Sequence, residues 1–446
     1  MKTLEERQFD ARSLRVTPSP RQLAWQRTEF YAFVHFSINT FTNREWGDGT
    51  ESPILFDPSR LNADQWADCI QSAGMKGAIL TCKHHDGFCL WPSRYGDHTV
   101  ARSPYKNGAG DVVREFSDAC RRRGLKFGVY LSPWDRHHPL YGTGRPYDDY
   151  FVHQLRELLT GYGPVFSVWL DGACGEGPSG KRQVYDWERY YAVVRELQPE
   201  ACISVCGPDV RWCGNEAGHT RPSEWSVVPE RTRNTEKIKE KSQSEDGAAF
   251  RQRPVSAGDE DLGSREAVRD EESLVWYPAE VNTSIRPGWF YHPEEDGMVK
   301  SLEELVRIYE SSVGGNAAFL LNVPPAPEGL IHETDAARLR ELGAYLRETY
   351  RHNLAENAQI AREENRITVR WETPVEVFRI VLMEDIARSQ RVESFSILDG
   401  GGKTLYEGTV IGYKKIIPLQ RCLADQITVR IRDSRGTPHI AFVGVY

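Results

Sequence analysis

The sequence predicts an α/β fold, a (β/α)8-like barrel followed by a C-terminal all-β sandwich domain. Three observations carry it. Short apolar runs each end in polar or aromatic groups, segments of helical period lie between them, and the helical period disappears after Asn353.

The run at 30–34 ends on His35, and the run at 78–82 leads into Lys83-His84-His85-Asp86-Gly87. The run at 127–132 leads into Pro133-Trp134-Asp135, and the run at 164–170 ends on Asp171 before turning at Gly172. Active-site residues of parallel barrels sit at the carboxyl ends of the strands, so four such endings imply one shared cavity. Between the runs, Asp111 can cap a helix carrying Val113, Phe116 and Cys120, and Asp148 one carrying Phe151, Leu155, Leu158 and Leu159. Tyr190, Val193, Val194 and Leu197 mark a third at helical spacing. Ser301 to Glu304 reads as a capping box opening a fourth, which stops at Gly314-Gly315 before an apolar strand at 317–321.

Residues 1–352 therefore read as the barrel and 353–446 as a module of short alternating strands, among them 366–371, 375–382, 426–431 and 439–442. Such a module is expected to pack on the barrel. Residues 229–274 break the pattern. They are crowded with charge and poor in large apolar groups, which predicts a long mobile loop or lid, in part disordered without ligand.

A net charge of −8 over 446 residues, with both signs well mixed, offers no basic surface for nucleic acid. No stretch approaches the ~20 apolar residues of a membrane span, and the first twenty residues hold no apolar leader core, so a cytoplasmic protein is expected. Cys202, Cys206 and Cys213 fit no zinc spacing, and the nine cysteines read as reduced structural thiols.

The groups at the strand ends suit the hydrolysis of an acetal, which needs a general acid and a second carboxylate acting as nucleophile or base. Asp171 is the best placed of the candidates. Its partner is open among Glu216, Glu45, Glu224 and Glu280, Glu216 lying among glycines in the loop after the strand at 201–205. His35, His84, His85, His137 and His138 crowd the same face, without the paired spacings of metallohydrolases. With Trp46, Trp134, Trp212 and Trp289 they offer neutral hydrogen-bonding edges beside aromatic faces, the mixture a sugar requires. A His-rich metal centre is the competing reading, and one of His137 and His138 can equally be a satisfied core group.

Four segments together resemble an α-L-fucosidase of glycoside hydrolase family 29: Phe33-Val34-His35-Phe36, Lys83-His84-His85-Asp86-Gly87-Phe88, Trp169-Leu170-Asp171-Gly172 and Phe319-Leu320-Leu321-Asn322-Val323-Pro324-Pro325. The resemblance covers nearly the whole chain. It implies that Asp171 is the catalytic nucleophile and that His35, His84 and His85 hold fucose hydroxyls. The segment 211–218 resembles the subgroup acting on α-1,3 and α-1,4 branches of Lewis-type glycans, where this glutamate is the acid/base, so Glu216 takes that role with Glu280 in reserve. The segments 279–281 and 286–292 resemble the same subgroup, with Trp289 at the fucose site. The family implies a fucosylated oligosaccharide substrate and no metal or organic cofactor. A fucose-binding protein without catalysis, or a metallohydrolase, would be the alternatives.

Overall fold

In the computed structural model, which describes residues 3–243, 247, 249 and 261–446, the four apolar runs become parallel strands. In chain order these are β1 (Phe30–Val34), β2 (Gly77–Lys83), β3 (Lys126–Leu131) and β4 (Ser167–Leu170), followed by β5 (Cys202–Val205) and the two-residue β6 (Arg211–Trp212). A short antiparallel pair, β7 (Val227–Pro229) and β8 (Leu274–Trp276), precedes the last barrel strands β9 (Ala279–Ser284) and β10 (Ala317–Asn322). The eight barrel strands lie in the order β5-β4-β3-β2-β1-β10-β9-β6, and a single parallel bridge from Ser204 to Val210 brings β5 to β6, so the ring is nearly closed.

Every residue of β1 and β2 is buried, as expected of strands covered on both faces. The two-residue period of β1 sends Tyr31 and Phe33 into the barrel interior, with Ile79, Tyr130, Trp169 and Leu320. Phe30, Ala32 and Val34 point outward into the larger layer beneath the helices. The connecting helices follow their caps. Asp111 accepts from Arg114 N, and the helix Val112–Arg122 buries Val113, Phe116 and Cys120. Asp148 departs from expectation: its helix begins earlier, at Arg145–Gly161, and the Asp148 carboxylate is buried, accepting from Tyr190 and Gln183 rather than capping.

The crossover from β5 to β6 has no helix. Residues 206–210 turn directly, with Val205 N donating to Val210 O at 3.1 Å. Val205 adopts φ +68°, a left-handed conformation rarely taken by a β-branched residue.

The stretch expected as a loop at 229–274 holds structure where it is described. It includes the helices Thr235–Lys241 and Arg265–Val268 and the strand β8. A helix forms there because Asn234 caps it, accepting from Lys237 N, and because Ile238 packs on the barrel interior. The expectation of a lid also falls on 244–246, 248 and 250–260, outside the described residues.

After the helix Glu333–Thr349, six antiparallel strands follow: β11 (Gln359–Glu363), β12 (Arg366–Glu384), β13 (Val392–Asp399), β14 (Thr404–Gly408), β15 (Lys415–Ser434) and β16 (Ile440–Val445). The runs 366–371 and 375–382, expected as separate strands, form one 19-residue strand broken in register between Arg370 and Val375. That irregularity bends β12 and β15 so that both halves of each contribute to one core, including Ile367, Val377, Ile417 and Ile427. The module packs at the amino ends of the barrel strands. Tyr413 and Lys414 bond to Glu29, just ahead of β1, and Asn316, just ahead of β10, bonds to the backbone of Lys414 and Tyr413.

Candidate active site

At the opposite, carboxyl end of the barrel, a cavity is lined by residues from β1 to β6 and from β9, by the loops that follow them and by the insert. Asp171 reaches it because β4 ends there: two residues after Trp169, it continues the inward face of the strand. Its two oxygens are held separately. Tyr130 OH donates to Oδ2 at 2.9 Å, and Ala173 N donates to Oδ1 at 2.8 Å. Burial, and then the Asp171 charge, push the Tyr130 phenol well above its usual pKa, so it stays a donor.

The three histidines of the cavity are neutral at pH 7. His35 continues the inward face of Tyr31 and Phe33, and burial pushes its pKa down to about 4. The Asn322 amide donates to Ser284 Oγ and Trp289 O, so its Oδ1 must accept from His35 Nδ1 at 2.8 Å. The lone pair on His35 Nε2 is then free to accept. His85 is arranged in the same way. Ser132 Oγ donates to Trp134 O at 2.6 Å and therefore accepts from His85 Nδ1 at 2.7 Å. Burial brings His85 to about 4 as well, and its Nε2 stands 3.8 Å from Asp171 Oδ2. Both atoms are acceptors, so each is open to a separate hydroxyl donor. Burial lowers His84 well below its usual range, and its Nδ1 has no hydrogen-bond partner among the described residues, Asp86 Oδ2 standing 4.0 Å away.

The competing carboxylates separate by what they touch. Glu45 accepts from the backbone of Trp289 and Phe290 and from His292, fixing the loop that carries Trp289. Glu224 is buried between Arg211 and Arg221, at 2.6 and 3.2 Å. Glu280, held in reserve as acid/base, lies early in β9, deep in the barrel, accepting from Trp169 Nε1 at 2.7 Å and from Tyr31 OH. Burial raises its pKa to about 7, but it does not line the cavity. Of the four, Glu216 lines it with Asp171, and its Oε2 accepts from Trp289 Nε1 at 3.1 Å.

Trp46, Trp212 and Trp289 line the cavity, whereas Trp134 stands behind His85, ring centroids 5.0 Å apart, and meets Trp46 edge to face. Trp212 is held by its Nε1 bond to Asn282 Oδ1 at 3.0 Å. His137 and His138 lie outside the cavity: His137 stacks on His98 and His138 on Tyr150. Sequence reading missed Tyr130 and Trp169, which look like core aromatics inside their strands, and Ser242 and Gln243 of the insert, which also line the cavity. The insert approaches closely because residue 172 is glycine. A Cβ there would lie 2.2 Å from Ser242 Oγ. Among the described residues no three His, Cys, Asp or Glu side chains form a metal-binding group, no helix is long and apolar enough to cross a membrane, and the nine cysteines are free thiols.

Comparison with known proteins places the chain in a family. The α-L-fucosidase family model matches residues 19–350. Alpha-L-fucosidase 1 of Arabidopsis thaliana is 36% identical over 469 residues, covering 96% of this chain and 87% of its own. A crystal structure from Bacteroides ovatus superposes with a TM-score of 0.89 at 45% identity, covering 100% of this chain and 76% of the other. A Ruminococcus gnavus family 29 fucosidase solved in complex with fucose has a TM-score of 0.81 at 28% identity, covering 97% and 95%. The chain belongs to the α-L-fucosidase family, glycoside hydrolase family 29.

Proposed function

We propose that the chain is a retaining exo-α-L-fucosidase that removes α-1,3- and α-1,4-linked fucose from Lewis-type oligosaccharides, with Asp171 as nucleophile and Glu216 as acid/base. The observation that carries this reading is the pair of carboxylates, Asp171 and Glu216, lining one cavity with three neutral imidazoles. Fucose hydroxyls donate to the free ring nitrogens of His35 and His85. An Asp171 oxygen bonds to the anomeric carbon while the bond to the leaving oxygen breaks and Glu216 passes its proton to that oxygen. Glu216 then takes a proton from a water whose oxygen displaces Asp171, so configuration is retained. The Tyr130 hydrogen bond orients the carboxylate for attack and weakens as the negative charge is spent.

The fixed tautomers matter because a neutral imidazole can both accept and stay uncharged next to Asp171. The test is fucose release from a Lewis-type trisaccharide and, in parallel, from 2′-fucosylated lactose. Release from the first alone supports the branch-specific reading. Release from both overturns that specificity, and release from neither moves the weight to a fucose-binding protein.

A further inference from the structure

Glu280 is the second residue of β9, fully buried in the barrel interior beneath the cavity. Its Oε1 accepts from Trp169 Nε1 at 2.7 Å and its Oε2 from Tyr31 OH. Trp169 lines the cavity and stacks on Tyr130, ring centroids 5.4 Å apart at 29°, and Tyr130 in turn donates to Asp171 Oδ2. One indole ring therefore separates the buried carboxyl from the catalytic cavity.

The groups around Glu280 carry no compensating charge. On the strands that flank it stand Ala318 of β10 and Trp212 of β6, and beyond Tyr31 lies the Cys202 thiol of β5. Burial keeps Tyr31 and Cys202 neutral by pushing both well above their usual pKa. For Glu280 burial outweighs the two hydrogen bonds and brings it up to about 7. Holding two donors does not call for an acid. Glutamine in the same place would accept from Trp169 through its Oε1 and donate to the Tyr31 oxygen through its Nε2. A carboxyl without a counter-ion is the costlier choice for the fold, and carboxyls perturbed in this way cluster at functional sites.

We propose that Glu280 is a positioning residue of the fucosidase reaction, acting through Trp169: it fixes the indole under the sugar and, when ionised, sets a negative charge below the carbon that becomes positive as the glycosidic bond breaks. The substrate is neutral and the transition state is oxocarbenium-like, so that charge favours the transition state over the bound sugar. It raises kcat and leaves KM nearly unchanged. The inference rests on Asp171 being the nucleophile, which brings the anomeric carbon to this end of the barrel.

The test is the ratio of kcat in the parent to kcat in Glu280→Gln on an aryl fucoside, followed from about pH 5.5 to about pH 8.5. The ratio cancels groups that titrate in both enzymes, among them Asp86, which burial also brings to about 7. It should stand near one at the acid end and rise to about fivefold through a midpoint near the Glu280 pKa, with KM changed by less than about twofold. Over the same range Glu280→Gln should gain thermal stability relative to the parent, because the buried charge is gone. A purely structural clamp predicts the opposite, a ratio independent of pH and a variant that melts lower. Should the variant fail to fold, the indole N–H resonance of Trp169 in the parent, assigned with Trp169→Phe, carries the test, since it should shift as Glu280 ionises. A flat ratio, or a Trp169 resonance that does not titrate, overturns the inference. A ratio that falls as the pH rises, and is larger on an oligosaccharide, would make Glu280 the proton donor and overturn the Glu216 assignment with it. Activity retained in Asp171→Asn would instead remove the nucleophile on which both rest.

Discussion

The two walls of the catalytic cavity are built differently. The wall bearing Asp171, His35 and His85 comes from β1 to β4, four fully hydrogen-bonded strands each followed by a helix, and nearly every polar group on it has a dedicated partner. The wall bearing Glu216 comes from a loop after a two-residue strand, reached through the helix-free turn at 206–210, and is completed by an insert. Gly214 and Gly218, both at positive φ, flank Glu216. A nucleophile must meet one anomeric carbon and gains from a rigid frame, whereas an acid must follow a leaving group whose shape varies. On the proposed mechanism the barrel fixes the fucose and the loops fit the glycan.

Breaking the rigid wall should cost most. Asp171→Asn keeps the Tyr130 and Ala173 contacts in shape but removes the nucleophile, and kcat/KM should fall on the order of 10⁴-fold or more on every substrate. Residual activity within tenfold of the parent would sink the assignment. On the loop-built wall the loss should depend on the leaving group. Glu216→Gln is expected to cost about 10²–10⁴-fold on oligosaccharides and far less on aryl fucosides whose phenolate leaves without a proton. Equal losses on both would show that Glu216 is not the acid.

Acid should weaken the strand-built wall. His35 and His85 bind protons more weakly when folded, with pKa values of about 4, than in the unfolded chain at ~6.5. The unfolded chain therefore takes up protons first as pH falls. The stability each contributes is complete above pH ~6.5 and lost down to about 4, up to about 3 kcal/mol apiece and less than additive between neighbours. Urea midpoints measured across that window should fall steadily, and a flat profile would contradict buried neutral imidazoles. The smallest effect is expected from Tyr130→Phe, which removes one hydrogen bond from Asp171. About a tenfold drop in kcat, with retained thermal stability, would mark Tyr130 as a positioning residue.

What was legible in the sequence follows the same division. Asp171 and His35 sit two residues beyond inward-facing aromatics, so strand periodicity alone aims them into the barrel. Tyr130 shares that periodicity but stays hidden, because an aromatic inside an apolar run looks like core until its hydroxyl is seen on Asp171. Glu216 could not be ranked above Glu45, Glu224 and Glu280 by spacing, because the groups that neutralise those three are distant in sequence: Glu45 serves residues 289–292, and Glu280 serves Tyr31 and Trp169. Charge density misled in the insert. The segment 235–241 is mostly charged, yet one capping Asn234 and one apolar Ile238 suffice to dock a helix on the barrel. The bent strand β12 reads as two because a break in register looks like a loop, and of β15 only the second half, 426–431, is read from the sequence.

Glu29 stands in a left-handed conformation immediately before the first barrel strand, bonded to Lys76, Tyr413 and Lys414. Two of those three partners are made nearly four hundred residues later. On the ribosome the first strand of the barrel therefore waits for the last tenth of the chain before its underside is sealed. A barrel expressed without its β module would expose the Glu29 carboxylate and the apolar surface around it, so fragments cut after the final helix should aggregate rather than fold.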